Sequence, residues 1–169
     1  MRKLVLIISA LLLSAISAYA GVSSDEYVQP DKGRWYTVKN DGGGGVDDFE
    51  SAIAYMVANN MQVRVDGYCA SACTLLLAHK DLTICVTSNA VFMFHQPYAS
   101  KDDEVSFKVT HVVGAEQIWK LQFFKAYPDW VQAAINANGG VPSVYTTGST
   151  QDTFDMDIEK LVRYMNVCK

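Results

Sequence analysis

The chain has 169 residues, half of them hydrophobic, and a formal net charge of −4 at pH 7. That length and apolar content suit one domain with a sizeable core. The acidic balance argues against nucleic acid as a partner. After the first twenty residues no stretch is long or apolar enough to span a membrane.

The first residues read as an export signal. Arg2 and Lys3 form a positive start, Leu4 to Ile16 is mostly apolar, and Ala18-Tyr19-Ala20 is a small-x-small cleavage site. An uncleaved anchor is the competing reading, but the apolar run is short for a span. The expectation is a signal peptide over residues 1–20, cleavage after Ala20, and a periplasmic or secreted protein with no stable membrane span. Residues 21–33 are a polar, flexible leader.

The domain is expected over residues 34–169. Arg34 to Lys39 carries the β-formers Trp35, Tyr36 and Val38 and reads as a strand. Asn40-Asp41-Gly42-Gly43-Gly44-Gly45 breaks it. Val46 to Asn59 reads as a helix, with Phe49, Ile53, Met56 and Val57 on one face and Asp47, Asp48 and Glu50 at the positive end of its dipole. Gln62 to Asp66 is a strand running on toward Ser71, and Ala72 to His79 a buried helix. Leu82 to Val86 and Ala90 to Phe94 are short strands. Residues 100–113 are polar, then β-rich. Ala115 to Tyr127 reads as an amphipathic helix, and a second short helix follows Pro128 through Ile135. Asn136 to Gly148 is a loop, and Asp157 to Met165 a last helix. Strands alternating with helices give an α/β domain.

Four cysteines fall in this domain: Cys69, Cys73, Cys85 and Cys168. In an oxidising compartment an even number implies disulfides, and four allow three pairings. A bridge from Cys69 or Cys73 to Cys85 is expected, because it would pin the turn at Ser71 to the strand leading to His95; which of the two takes part is open. Zinc is the weaker reading, since Cys-x3-Cys has no second clustered pair. No metal and no cofactor are expected.

Two segments carry chemistry. Cys69-Ala70-Ser71-Ala72-Cys73-Thr74-Leu75 places a Ser among small residues where a strand turns into a helix. Free N–H groups at such a helix start can stabilise an oxyanion. Phe92-Met93-Phe94-His95-Gln96-Pro97 ends a short strand in a His that could take the hydroxyl proton. The four glycines lack the Lys-Ser/Thr of a phosphate loop and fit a dinucleotide fingerprint badly. They serve either as a flexible turn or as a close approach of backbone to substrate. His79 and His111 have no motif around them and read as structural or surface residues.

A strand with a Gly-Gly turn and helix, a strand ending in small-Ser-small, and two short strands ending in Met-x-His-Gln-Pro follow in that order. This arrangement resembles the Clp protease/crotonase superfamily, and most closely its exported bacterial Clp-protease-like members. The resemblance covers roughly residues 34–165 and implies a single domain of repeated ββα units. It also implies that Ser71 is the nucleophile, His95 the base, and Asp152 the third triad member. Asp152 is the residue two before a Phe in Gln151-Asp152-Thr153-Phe154; Asp155 and Asp157 are rivals. The oxyanion donors implied are the N–H groups of Gly45 and Ala72. The chain departs from the pattern in lacking a Ser-Pro before the glycines, in having Ala after the nucleophile, and in a longer stretch between His95 and Asp152. Residues 100–127 stand where the protease carries the handle that assembles its rings, which makes them a candidate homo-oligomer surface.

The leading expectation is therefore a serine hydrolase, with a peptide or protein as substrate. A non-catalytic envelope binding module that kept the fold is the alternative. A crotonase-type acyl-CoA enzyme fits poorly with export.

Overall fold

A computed structural model describes residues 35–97, 99–101, 108–110, 119–142 and 153–169. The signal peptide, the leader, His111 and Asp152 lie outside the described residues.

The molecule is mixed α/β, built on a six-stranded sheet. β1 (Trp35–Asp41) leads through the glycines into α1 (Val46–Ala58), and α1 returns to β2 (Gln62–Ala70). Alternation of buried and exposed residues along β2 buries Val63, Val65 and Cys69 and exposes Gln62, Arg64 and Tyr68. α1 buries Phe49, Ile53 and Met56 in the core. β3 (Thr83–Val86) and β4 (Val91–Phe94) follow.

β2 organises the sheet. β1 runs parallel along one edge of it. On the other, β3 pairs with Gln62 to Val65 and β4 with Tyr68 to Ala70, both parallel. Two strands thus share one edge, end to end. The register between β1 and β2 shifts by one residue between the Val38–Val65 and Asn40–Tyr68 pairs, a bulge that falls at Gly67. Asn40 Oδ1 accepts the Tyr68 N–H there at 3.3 Å, and a side chain on Gly67 would run into the Lys39 carbonyl.

Sheet and helices enclose one core, with Phe92, Phe94, Ile53 and Leu76 among its largest fully buried side chains. β5 (Ala99–Lys101) and β6 (Lys108–Thr110) form an antiparallel pair outside the main sheet. β7 (Phe154–Met156) adds antiparallel to β4, and β8 (Asn166–Val167) parallel to β3.

Several elements differ from expectation. Residues Ser71–Ala78 form a 3-10 helix rather than an α-helix. Its residues from Ala72 to Leu77 are all buried, so packing rather than an apolar periodicity sets its geometry. The expected single helix at 115–127 is, where described, a wide π turn (Trp119–Phe123) followed by a 3-10 turn (Phe124–Ala126). α2 (Asp129–Ala137) runs two residues further than expected, to the positive-φ glycines Gly139 and Gly140. The last helix shrinks to α3 (Ile158–Leu161), because the chain then turns to lay β8 beside β3.

The disulfides correct the expected pairing. Cys69 bonds Cys73, and Cys85 bonds Cys168, at Cα separations of 5.3 and 5.0 Å. Cys85 is level with Arg64, whereas Cys69 is level with Phe92 further along the same strand. Five residues of strand are about 16 Å, well outside the roughly 4.4–6.8 Å that a disulfide spans. The second bridge instead ties β8 to β3.

Candidate active site

Three segments leave the carboxyl ends of three neighbouring strands. Asp41, the last residue of β1, pairs with Cys69, and Ala70, the last residue of β2, pairs with Met93 of β4. The glycines following β1, Ser71 following β2 and His95 following β4 therefore emerge side by side. Carboxyl ends of parallel strands are where open α/β sheets hold ligands. Here they border a cavity of about 450 Å³. Gly42 to Gly45, Ser71 and His95 border it together with Trp119, Phe123 and Tyr127.

Ser71 has φ +55°, a left-handed conformation that a side chain adopts at a cost of about 1–3 kcal/mol. It stands at a sharp turn from the end of β2 into the 3-10 helix. Three contacts hold it. The Cys69–Cys73 disulfide closes across it. Thr74 Oγ1 donates to the Ser71 carbonyl at 2.6 Å. Gly43, at φ +85°, packs so closely that a Cβ on it would fall 2.5 Å from Ser71 Cβ and 2.9 Å from Ala72 N. Ala72 is in the first turn of the 3-10 helix, where N–H groups lack intrahelical acceptors.

The glycine segment is itself held. Asp41 Oδ1 accepts the Gly43 N–H at 2.8 Å, an Asx-type turn. Burial raises the Asp41 carboxyl above the usual carboxylate range, and the Gly43 N–H pulls partly the other way. Gly45 caps α1, its carbonyl accepting from Phe49 N–H at 3.2 Å. The Gly43 N–H is thus engaged, while Gly45 also borders the cavity.

His95 is only 5% exposed. Its Nδ1 lies 2.7 Å from the Gln96 carbonyl oxygen. A carbonyl only accepts, so Nδ1 carries the proton in this contact and Nε2 is the basic nitrogen. Burial lowers the imidazole pKa, and the Gln96 carbonyl offsets part of that. Gln96 N–H is bonded to the Pro142 carbonyl at 2.9 Å, which fixes the segment carrying the ring. Ser71 and His95 border the same cavity.

The two rival carboxylates do not border the cavity. Asp155 accepts from Thr153 Oγ1 at 2.6 Å, and Asp157 caps α3 by accepting the Lys160 N–H. β7 pairs Phe154 with Phe94, so the chain enters β7 from the His95 end of β4. His79 lies 3.1 Å from the partly exposed Glu50 and does not border the cavity. Among the described residues no group of three or more His, Cys, Asp or Glu could hold a metal ion.

Sequence reasoning missed Thr74, Tyr127, Gly43 and Asp41. Asp-Gly-Gly after a strand is an Asx-turn signal that could have marked Asp41. Nothing local marks Tyr127, which reaches Thr74 from 53 residues away. Of the stretch expected to assemble copies, residues 119–127 contribute Trp119, Phe123 and Tyr127 to the cavity wall. The chain matches no protein-family model, and no curated protein is similar to it at a significant level.

Proposed function

We propose that the protein is an exported serine hydrolase of the Clp protease/crotonase superfamily that cleaves peptide bonds. The observation that carries this reading is the convergence of the glycine segment, the left-handed Ser71 and the buried His95 at one cavity. Two disulfides fit an oxidising compartment. Among the described residues no helix is long and apolar enough to cross a membrane.

In the proposed reaction Ser71 Oγ attacks the substrate carbonyl carbon and passes its proton to His95 Nε2. The oxyanion takes hydrogen bonds from the N–H groups of Ala72 and Gly45. The imidazolium then protonates the leaving amine as the C–N bond breaks. Water, deprotonated by His95, releases the acyl group and restores Ser71. Asp152, the third member that the resemblance implies, would have to take the Nδ1 proton over from the Gln96 carbonyl to hold the ring through this cycle.

A binding module with the same fold is the second reading. It is favoured by Asp155 and Asp157, which are engaged with Thr153 and the Lys160 N–H away from the cavity rather than with His95's site. Fluorophosphonate labelling separates the two. The hydrolase forms an adduct on Ser71 that is lost in Ser71→Ala and His95→Ala. Equal labelling of wild type and Ser71→Ala, or none on folded, oxidised protein, supports the binding module.

A further inference from the structure

Two buried side chains hold the peptide of the nucleophile itself. Thr74 Oγ1 donates to the Ser71 carbonyl at 2.6 Å. A hydroxyl has one proton, so the second contact of Thr74 Oγ1, 2.6 Å to the Tyr127 hydroxyl, must be made with Tyr127 donating. The order of protons is therefore fixed: Tyr127 O–H to Thr74 Oγ1, and Thr74 O–H to the Ser71 carbonyl. Thr74 is 1% exposed and Tyr127 3%. Burial holds the phenol well above its ordinary range, so it remains a donor at every working pH.

Tyr127 also touches the other catalytic strand end. Its ring meets the Phe94 ring edge-on, with centroids 5.5 Å apart and planes at 81°. Phe94 immediately precedes His95. The Tyr127 carbonyl is in turn held by Gln132 Nε2 at 2.7 Å, which anchors the residue to α2. One side chain thus bears on both the Ser71 turn and the end of β4.

We propose that Tyr127, acting through Thr74, is a positioning residue that sets the Ser71 hydroxyl against His95. This rests on the serine hydrolase reading. Neither side chain reaches the reacting atoms by these bonds. Their effect is to keep a left-handed serine in register with its base, and small misplacements of a nucleophile slow chemistry more than binding.

The test is the kinetics of fluorophosphonate labelling of Ser71 in the exported, oxidised protein. Thr74→Val removes both hydrogen bonds while keeping the side-chain shape. Tyr127→Phe keeps the ring on Phe94 and removes only the donor. Thr74→Ser restores the hydroxyl. The limiting labelling rate at saturating probe should fall about tenfold in Thr74→Val and several-fold in Tyr127→Phe, and return to within about twofold of wild type in Thr74→Ser. The probe concentration at half-saturation should stay unchanged. A merely structural role predicts lower melting temperatures with an unchanged limiting rate, and that result overturns the proposal. If Thr74→Val does not fold, Tyr127→Phe decides alone. If wild type labels and Tyr127→Phe labels as fast, positioning fails while the hydrolase stands. If wild type takes no probe on Ser71, both fall.

Discussion

Gly43 lies against Ser71 so tightly that a methyl group on it would fall 2.5 Å from Ser71 Cβ and 2.7 Å from the Ala70 carbonyl oxygen. The glycine's φ of +85° disfavours a side chain as well. Backbone, not side chain, is therefore the neighbour of Ser71 on this side. Gly43→Ala should cost about 2 kcal/mol or more from strain alone and abolish Ser71 labelling, because the turn must move to admit the methyl. Gly42→Ala meets nothing within 4 Å and should leave the melting temperature near wild type. Equal thermal stability and labelling of Gly43→Ala and wild type would show that the contact is dispensable.

Asp41 holds the same segment from the other end, through its bond to the Gly43 N–H. Asp41→Ala should lose about 1 kcal/mol, the net worth of one such bond, and slow labelling. Asp41→Asn keeps an oxygen acceptor at the same position and should recover most of both. Denaturant unfolding of the three proteins reads the stability, and probe kinetics read the site. If Asn behaves as Ala does, the carboxylate charge rather than its hydrogen bond is what matters.

Two of the strand ends that build the site are legible in the sequence because a β-forming run meets a break, Lys39 before Asn-Asp-Gly and Phe94 before His-Gln-Pro, whereas β2 runs to Ala70, past the Asp66-Gly67 at which the sequence reading ends it. Less is legible where long-range geometry decides. The disulfide partners depend on the register of β3 against β2, which places Cys85 level with Arg64. β7 and β8, three and two residues long, are too short for an alternating pattern to show. Ser71–Ala78 is apolar nearly all round, so no period distinguishes a 3-10 helix from an α-helix. Tyr127 acquires its role only because the turn at 124–126 folds back over Thr74.

In the proposed reaction His95 sets the pH dependence. Its folded pKa is lowered by burial, below the unperturbed value of about 6.5. The neutral base form therefore persists below that pH, and the acid limb of Ser71 labelling should have its midpoint under 6.5. Stability follows with a definite sign. The unfolded chain takes up protons at His95 before the folded one does, so this group's contribution is complete above pH about 6.5 and is lost as pH falls through the folded value. His95→Gln should remove that part of the pH dependence of unfolding. A labelling midpoint at or above 6.5 would contradict the burial argument.

The two disulfides should separate stability from site geometry. Cys85–Cys168 closes a separation of 83 residues, Cys69–Cys73 one of 4. Chain entropy makes the long loop worth about 4.5 kcal/mol and the short one about 2 kcal/mol. The long bridge ties β8 to β3, and neither of its cysteines borders the cavity. The short one spans Ser71 and replaces a longer-range pin with a local one. Cys85→Ala/Cys168→Ala should therefore unfold at markedly lower denaturant, yet label Ser71 at nearly the wild-type rate under conditions where it is folded. Cys69→Ala/Cys73→Ala should lose less stability and far more labelling, since the left-handed Ser71 then keeps only Thr74 and Gly43 to hold it. Mild reduction of the wild type should show both effects, with labelling following the state of the Cys69–Cys73 bridge in peptide maps. If labelling instead tracks the loss of Cys85–Cys168, the turn at Ser71 is held by the fold as a whole and not by the bridge across it.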